Sequence, residues 1–225
     1  MTTPTYQPVD PAHLADAVAE LLAAASVSHP LRVAIDGARC AAPVAFAQSV
    51  IVPLQTRGRA ARVVDAETFW RDASLRFEYG HTDLASYAQR WLDVDALRRE
   101  VLHPLGRRRS GRYLPALRDP DSNRSLRVPS QHADERAVIM VAGELLLGRQ
   151  LPFDRTIHLA VDSAARKRRT PPDWQWTLPA HDAYDRDVQP TRVADIVVRW
   201  NDPRHPALRI GGSAQISPDS QQSMR

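Results

Sequence analysis

The sequence of 225 residues has little cysteine, little lysine and no long hydrophobic run. Cys40 is the only cysteine, which excludes an intramolecular disulfide and leaves no pair of thiolates for a zinc site. Lys167 is the only lysine, so all the other Lys or Arg positions are arginine. No segment approaches the roughly 18 apolar residues of a membrane helix, and the first residues lack a secretory signal. We therefore expect a cytoplasmic protein without a membrane contact.

The composition is that of a globular chain, with 43% hydrophobic and 25% charged residues. A length of 225 residues suits one well-buried α/β domain and is short for two. The net charge of +4 would suit an anionic ligand. We rank nucleic acid below small anions, because the arginines are not interleaved with aromatic residues along an evident stripe.

Apolar runs alternate with helical patterns along most of the chain, which predicts a central parallel sheet with helices on both faces. We expect an N-terminal amphipathic helix within residues 1–30, an α/β domain over residues 31–208 and a disordered tail over residues 209–225. The predicted strands are Leu31–Ile35, Ala61–Val64, Ala137–Val141, Arg155–Leu159 and Ala194–Val198. The predicted helices include Pro43–Thr56 and Ala96–Leu102, and residues 106–129 form an arginine-rich excursion with a short hairpin.

The first strand runs into Gly37, the first position of a phosphate-binding loop of the pattern G-x-x-x-x-G-K-[ST]. In that pattern backbone N–H groups and a lysine hold phosphate, and a hydroxyl holds Mg²⁺. Here Ala42 replaces the second glycine, Pro43 the lysine and Val44 the hydroxyl residue. The three replacements weaken phosphate binding by roughly 3–6 kcal/mol.

Several segments, taken in chain order, resemble the segments of a known protein family. They are Val33–Gly37, Glu67–Trp70, Trp91–Leu97 with Leu102–Leu105, Tyr113–Asp119, and Ala194–Val198 with Asn201–Pro203. In this order they resemble the uridine kinase-like branch of the P-loop nucleoside kinases, over roughly Leu14 to Leu208. The resemblance implies a P-loop NTPase-like three-layer fold that transfers the γ-phosphoryl group of ATP, with Mg²⁺, to the 5′-hydroxyl of a pyrimidine nucleoside.

The resemblance also implies roles for individual residues. Glu67 falls at the catalytic carboxylate, and Arg166 and Arg169 fall at the lid arginines that would stabilise transferring phosphate charge. The loop positions that would contact the cofactor are Gly37, Arg39 and Ala42. The positions that would contact the nucleoside are Asp83, Tyr113 and Asp119. For Glu67 and Asp83, a solvated carboxylate near a helix start is an equally good interpretation.

The position that would order Mg²⁺ is Ala142, so no metal ligand is assigned. Glu144 follows two residues later and faces the same side only if the strand continues through Gly143. We expect Glu144 instead to be the first-turn acid of a short helix over residues 144–147.

Three functions remain open. The first is a kinase-like protein with little or no ordinary kinase activity that still binds a nucleoside, nucleotide or other small anion. The second is an active kinase in which Arg39 or the Arg166–Arg169 cluster replaces the lysine, Glu67 is the base and Glu144 holds the metal. The third is a non-catalytic interaction module whose arginine-rich stretch, residues 107–127, binds a partner.

Overall fold

Five parallel strands form the centre of a seven-stranded sheet in the computed structural model, which describes residues 5–211. The order across the sheet is β1-β9-β8-β7-β2-β6-β3, and β4 and β5 form a separate two-stranded ribbon. The strands are β1 (Gln7–Pro8), β2 (Leu31–Gly37), β3 (Ala61–Asp65), β4 (Arg112–Tyr113), β5 (Gln131–His132), β6 (Val138–Gly143), β7 (Arg155–Ala160), β8 (Ile196–Arg199) and β9 (Ala207–Ile210).

Short helices connect the strands. They are α1 (Pro11–Ala23), α2 (Pro43–Ser49), α3 (Ile51–Thr56), α4 (Ala73–Arg76), α5 (Leu84–Gln89), α6 (Val94–Leu97), α7 (Ser163–Arg169), α8 (Leu178–Asp187) and α9 (Pro190–Val193). The predicted helix over residues 43–56 is divided into α2 and α3, because Pro53 has no N–H for the carbonyl of Ser49. A π-helical turn, Arg98–Leu102, extends α6. Within residues 5–211, no helix is both long and apolar enough to cross a membrane.

Alternate residues of β2 face the two sides of the sheet. Leu31, Val33 and Ile35 belong to the core that packs against α1, α2 and α3. Ala34 lies on the other side with Leu147 and Val197. A separate apolar cluster beneath α6 contains Val64, Ile139 and Val141. Helices therefore cover both faces, and the predicted three-layer α/β architecture is confirmed.

The two antiparallel strands at one side of the sheet, β1 and β9, are the strands of this sheet that the apolar patterns missed. Strand β9 pairs with β8 and includes Arg209 and Ile210, which we assigned to the C-terminal tail. Its pairing is supported by Leu208, which is 3% exposed. Most of the predicted tail, residues 212–225, lies outside the described residues. At the other end, α1 contributes Leu14 and Val18 to the main core, so it packs directly on the domain.

Candidate functional site

In the loop after β2, Ala42 adopts a backbone conformation that usually requires glycine. Gly37 ends β2 so close to β7 that a Cβ atom would lie 3.0 Å from that of Leu159. A 3₁₀ turn, Arg39–Ala41, follows, and Ala42 then adopts φ 52° and ψ 58°. This left-handed conformation costs an alanine about 1–2 kcal/mol. Pro43 begins α2 at a position where its missing N–H is tolerated.

The carboxylate of Glu144 accepts a hydrogen bond from one backbone N–H of this loop. The N–H of Arg39 donates to Oε1 of Glu144 at 2.6 Å, and the Glu144 side chain is 8% exposed. Strand β6 continues through Gly143, which aims Glu144 toward the loop. The predicted helix over residues 144–147 is wrong, because Leu145 has φ 56° and the N–H of Leu146 donates to Asp36 at 2.8 Å.

The guanidinium of Arg39 lies between two carboxylates and two indole rings. It donates to Oε1 of Glu67, and its Nη2 atom lies 3.4 Å from Oε2 of Glu144. Its Cζ atom lies 3.8 Å from the ring centroid of Trp174 and 5.8 Å from that of Trp70. We call the four side chains around Arg39, namely Glu67, Glu144, Trp70 and Trp174, the Arg39 cage.

Glu67 is positioned by a tight contact between two backbone segments. It lies in the 3₁₀ turn Ala66–Phe69 that follows β3, and its N–H donates to Asp65 at 2.9 Å. A Cβ atom on Gly143 would lie 2.6 Å from that of Ala66, so only glycine lets β6 approach this turn. The contact brings the backbones that carry Glu67 and Glu144 together.

The two carboxyl groups of the cage have opposite pKa shifts. Burial raises the pKa of Glu67 to about 7, and the nearby Asp65 and Glu144 add to the effect against the opposing charge of Arg39. Burial also acts to raise the pKa of Glu144, but the contacts with His181 and Arg39 outweigh it and hold that pKa below its usual value. Near neutral pH, Glu144 is therefore ionised while Glu67 is partly protonated.

His181 connects the cage to helix α8. Its Nε2 atom lies 3.1 Å from Oε1 of Glu144 and 3.3 Å from the hydroxyl of Tyr87. Sequence reasoning did not select His181, because a single histidine in a short amphipathic helix has no motif around it. The residue that it contacts, Glu144, lies 37 positions away in the chain.

A narrow pocket of about 20 Å³, room for about one water molecule, lies beside the cage. It is lined by the aromatic rings of Trp70, Tyr87 and Trp91 and by the charged side chains of Glu67, Glu144 and Arg149. Trp70 and Trp91 pack edge to face, with ring centroids 5.2 Å apart. Tyr87 and Trp91 are each 4% exposed, so in this aromatic pocket the rings pack mainly against one another.

Arg166 and Arg169 hold neighbouring segments together. Arg166 is 4% exposed, and its Nη2 atom donates to Asp182 at 2.7 Å and to Asp185 at 2.8 Å, both on α8. Arg169 donates to the carbonyl of Cys40 at 2.7 Å and to that of Trp200. In this arrangement one guanidinium is paired with acids and the other with backbone oxygens.

The three predicted nucleoside contacts have local partners. Asp83 caps α5 by accepting the N–H of Ser86 at 2.7 Å. The buried Tyr113 donates its hydroxyl to Gln131 at 3.0 Å across the β4-β5 ribbon. Asp119 accepts the N–H groups of two following residues in its own turn, at 3.0 and 2.8 Å. The structure therefore brings Arg39, Glu67 and Glu144 together. The contacts of Asp83, Tyr113 and Asp119 lie elsewhere.

Sequence reasoning also missed a buried network directly beneath the loop. Asp36 is 0% exposed and accepts hydrogen bonds from Nδ1 of His158 at 2.7 Å and from the hydroxyl of Tyr184 at 3.1 Å. Its other oxygen accepts the N–H of Leu146 at 2.8 Å. Burial, followed by the charge of Asp36, raises the pKa of the Tyr184 hydroxyl. We call these residues the Asp36 network.

The residues of the loop do not fit ATP with Mg²⁺. The N–H of Arg39 is already paired with a carboxylate, Pro43 has no N–H, and Val44 has no hydroxyl. Among the described residues no group of three His, Cys, Asp or Glu side chains could hold a metal ion. The loop therefore lacks the lysine and the hydroxyl of the phosphate-binding pattern, and one of its N–H groups is already paired.

Comparison with known proteins relates the chain by fold. No family profile and no curated protein matches the sequence. A possible uridine kinase from Bacillus stearothermophilus superimposes with a TM-score of 0.66 and 16% identity, over 81% of this chain and 96% of that one. A provisionally named fructose transport system kinase from Silicibacter sp. TM1040 gives a TM-score of 0.58 and 20% identity, over 82% and 94%. The chain thus has the P-loop kinase-like α/β fold.

Proposed function

We propose that the chain is a non-catalytic nucleoside-binding protein built on a P-loop kinase-like fold, with weak or absent phosphoryl transfer. The observation that carries the proposal is the hydrogen bond from the N–H of Arg39 to Glu144 at 2.6 Å. A carboxylate fixed at this N–H repels the phosphate oxygens that would otherwise receive it. The replacements at Ala42, Pro43 and Val44 act in the same direction.

The aromatic pocket is where we expect a nucleoside to bind, once its side chains move apart to admit the ligand. Trp70 is half-buried and is the ring that a stacked base can reach, whereas Tyr87 and Trp91 are each 4% exposed. A base stacked on one aromatic ring contributes about 1–3 kcal/mol. Glu67, at one end of the pocket, is an acceptor for sugar hydroxyls. The fold similarity to a possible uridine kinase makes uridine the first ligand to test.

Isothermal titration of the full chain with uridine, cytidine and ATP, each with and without Mg²⁺, tests the proposal. We expect a pyrimidine nucleoside to bind and ATP with Mg²⁺ to give no saturable heat. Trp70→Leu should weaken uridine binding by about tenfold, whereas the control variant Tyr6→Leu should leave it unchanged, because Tyr6 precedes the edge strand β1 and stacks with Arg199. Failure of every nucleoside to bind would contradict the proposal and favour the interaction module.

One observation favours the second candidate, an active kinase. A carboxyl group with a pKa of about 7, as for Glu67, is well matched to general-base catalysis at neutral pH. Assays of uridine phosphorylation with labelled ATP decide between the two. If the wild type forms product with Mg²⁺ and Glu67→Ala does not, the active kinase replaces the non-catalytic proposal. Background turnover in both the wild type and Glu67→Ala would support the non-catalytic proposal.

A further inference from the structure

We propose that the Arg39 cage is a binding site for a guanidinium group, occupied by Arg39 itself in the structure and open to a free guanidinium-bearing small molecule when Arg39 leaves. The site adjoins the aromatic pocket but does not depend on nucleoside binding there. Its ligand is of the opposite charge to the phosphate that the fold would suggest.

The charges of the cage favour a cation. Without the Arg39 guanidinium, Glu67 and Glu144 would face each other across a space that is largely shielded from water, since their side chains are 23% and 8% exposed. Asp65 adds a third carboxylate close to Glu67. Without Arg39 the buried Glu144 loses a cationic partner, and Glu67 is left to take up either a proton or another cation. A guanidinium that binds both side chains replaces the lost partner, whereas an anion does not.

The aromatic side chains favour a planar cation. Trp174 lies 3.8 Å from the Arg39 Cζ atom, which is within the range of a direct cation–π contact. A guanidinium stacks flat on an indole ring and still directs N–H groups outward to carboxylates in its own plane. An ammonium ion is a compact point charge and lacks this combination, so the geometry selects a guanidinium.

Arg39 satisfies the cage incompletely. In the described part of the chain its buried Nε atom has no hydrogen-bond partner, and neither does the buried Oε2 atom of Glu144. The Nη2 atom makes the side-chain contacts with both carboxylates. A single nitrogen of Arg39 thus serves both carboxylates, while one donor and one acceptor of the same cage stay unpaired. A free guanidinium, which has no backbone tether, can turn so that separate nitrogens bond the two carboxylates.

Tryptophan fluorescence of the full chain, titrated with methylguanidine, tests the proposal, because Trp70 and Trp174 form the cage. In Arg39→Ala we expect saturable quenching by methylguanidine, and none by methylurea, which has a similar planar shape without the charge. In the wild type the tethered side chain competes, so the apparent affinity should be at least about tenfold weaker. Arg90→Ala removes an exposed arginine that stacks on Tyr79, and it should behave as the wild type.

A second set of titrations keeps the test decisive. If Arg39→Ala does not fold, Arg39→Met keeps the side-chain stem and is used in its place. Adding Glu67→Gln to either variant should weaken methylguanidine binding by about fivefold or more. Absence of saturation, an equal response to methylurea, or saturable binding of inorganic phosphate would each overturn the proposal.

The outcome is separable from that of the proposed function. The aromatic pocket and the cage share Trp70, Glu67 and Glu144, so uridine and methylguanidine are titrated separately, each in the absence of the other ligand. Uridine binding without methylguanidine binding removes only the inference about the cage. Methylguanidine binding without uridine binding removes only the proposed nucleoside function.

Discussion

The Asp36 network and the Arg39 cage are two polar clusters near the carboxyl end of β2, and they differ in how completely their atoms are paired. Both oxygens of Asp36 accept hydrogen bonds, from His158, Tyr184 and the backbone of Leu146. In the cage, by contrast, one nitrogen of Arg39 and one oxygen of Glu144 have no hydrogen-bond partner among the described residues. A buried network whose polar atoms are all hydrogen-bonded makes the core rigid. Where buried polar atoms stay unpaired, a donor or an acceptor is left for a further partner.

The largest expected effect is the loss of the Asp36 carboxylate. Asp36→Ala should lower the free energy of unfolding by about 3–5 kcal/mol, because Nδ1 of His158, the Tyr184 hydroxyl and the Leu146 N–H all lose their acceptor. Urea unfolding followed by circular dichroism measures the change. Asp36→Asn keeps an acceptor and should cost less. A loss below about 1 kcal/mol for Asp36→Ala would mean that the network is not structural.

The second effect concerns the pH dependence of the cage. The pKa of Glu67 is raised from 4.5 in the unfolded chain to about 7 in the folded protein, so the folded state holds a proton that the unfolded state releases. This contribution to stability is fully present below pH 4.5 and is lost as the pH rises to about 7. Relative to Glu67→Gln, the wild type should lose about 2–3 kcal/mol between roughly pH 5 and 8.

Chemical unfolding of both proteins at several pH values gives this difference, in which the histidines common to the two proteins cancel. The side-chain amide in Glu67→Gln still accepts a hydrogen bond from Arg39, so the substitution removes the titration with little change of shape. Parallel stability profiles for the two proteins would show that Glu67 titrates normally. That result would remove the pH dependence that distinguishes the cage from the Asp36 network.

The third effect is a gain in stability at the loop. Ala42→Gly should raise the free energy of unfolding by about 1 kcal/mol, because glycine adopts φ 52° without the steric cost that alanine has. Ala45→Gly, on the exposed side of α2, is the matched control and should lower it by about 0.5–1 kcal/mol. Thermal unfolding compares the three proteins. A destabilised Ala42→Gly variant would place residue 42 outside the left-handed region.

The smallest effect distinguishes a packing tyrosine from a ligand-binding one. Tyr113→Phe should cost about 0.5 kcal/mol, because the hydrogen bond to Gln131 is lost but the half-buried amide can turn to water. Uridine affinity should be unchanged in this variant. A loss of uridine binding without a loss of stability would restore the role that the sequence resemblance implied for Tyr113.

The central sheet was predictable because its strands are short apolar runs separated by turn residues. Strand β6 is buried at all six positions, and such a run identifies a central parallel strand without tertiary information. Strands β1 and β9 were not predictable, since segments of two to four residues of mixed polarity carry little periodic signal. Their pairing depends on the sheet edge to which they add.

The cage was predictable only in part. Glu67 was selected because the family resemblance places it at the catalytic carboxylate, and Arg39 because it lies in the loop where a cation could replace the missing lysine. Glu144 was assigned to a helix, because the sequence gives no sign that Leu145 would adopt a left-handed conformation. The partners of Asp36 lie 110 to 148 positions away along the chain. Contacts at such separations depend on the completed fold rather than on local pattern.

The hydrogen bond between the Arg39 N–H and Glu144 has a consequence for protein design. An engineer who installs Gly-Lys-Thr at residues 42–44 to create a triphosphate site would restore the lysine and the hydroxyl but leave the N–H of Arg39 paired with a buried glutamate. That N–H would still be withheld from phosphate. We therefore expect that a triphosphate site requires the loop and the segment at Glu144 to be redesigned together.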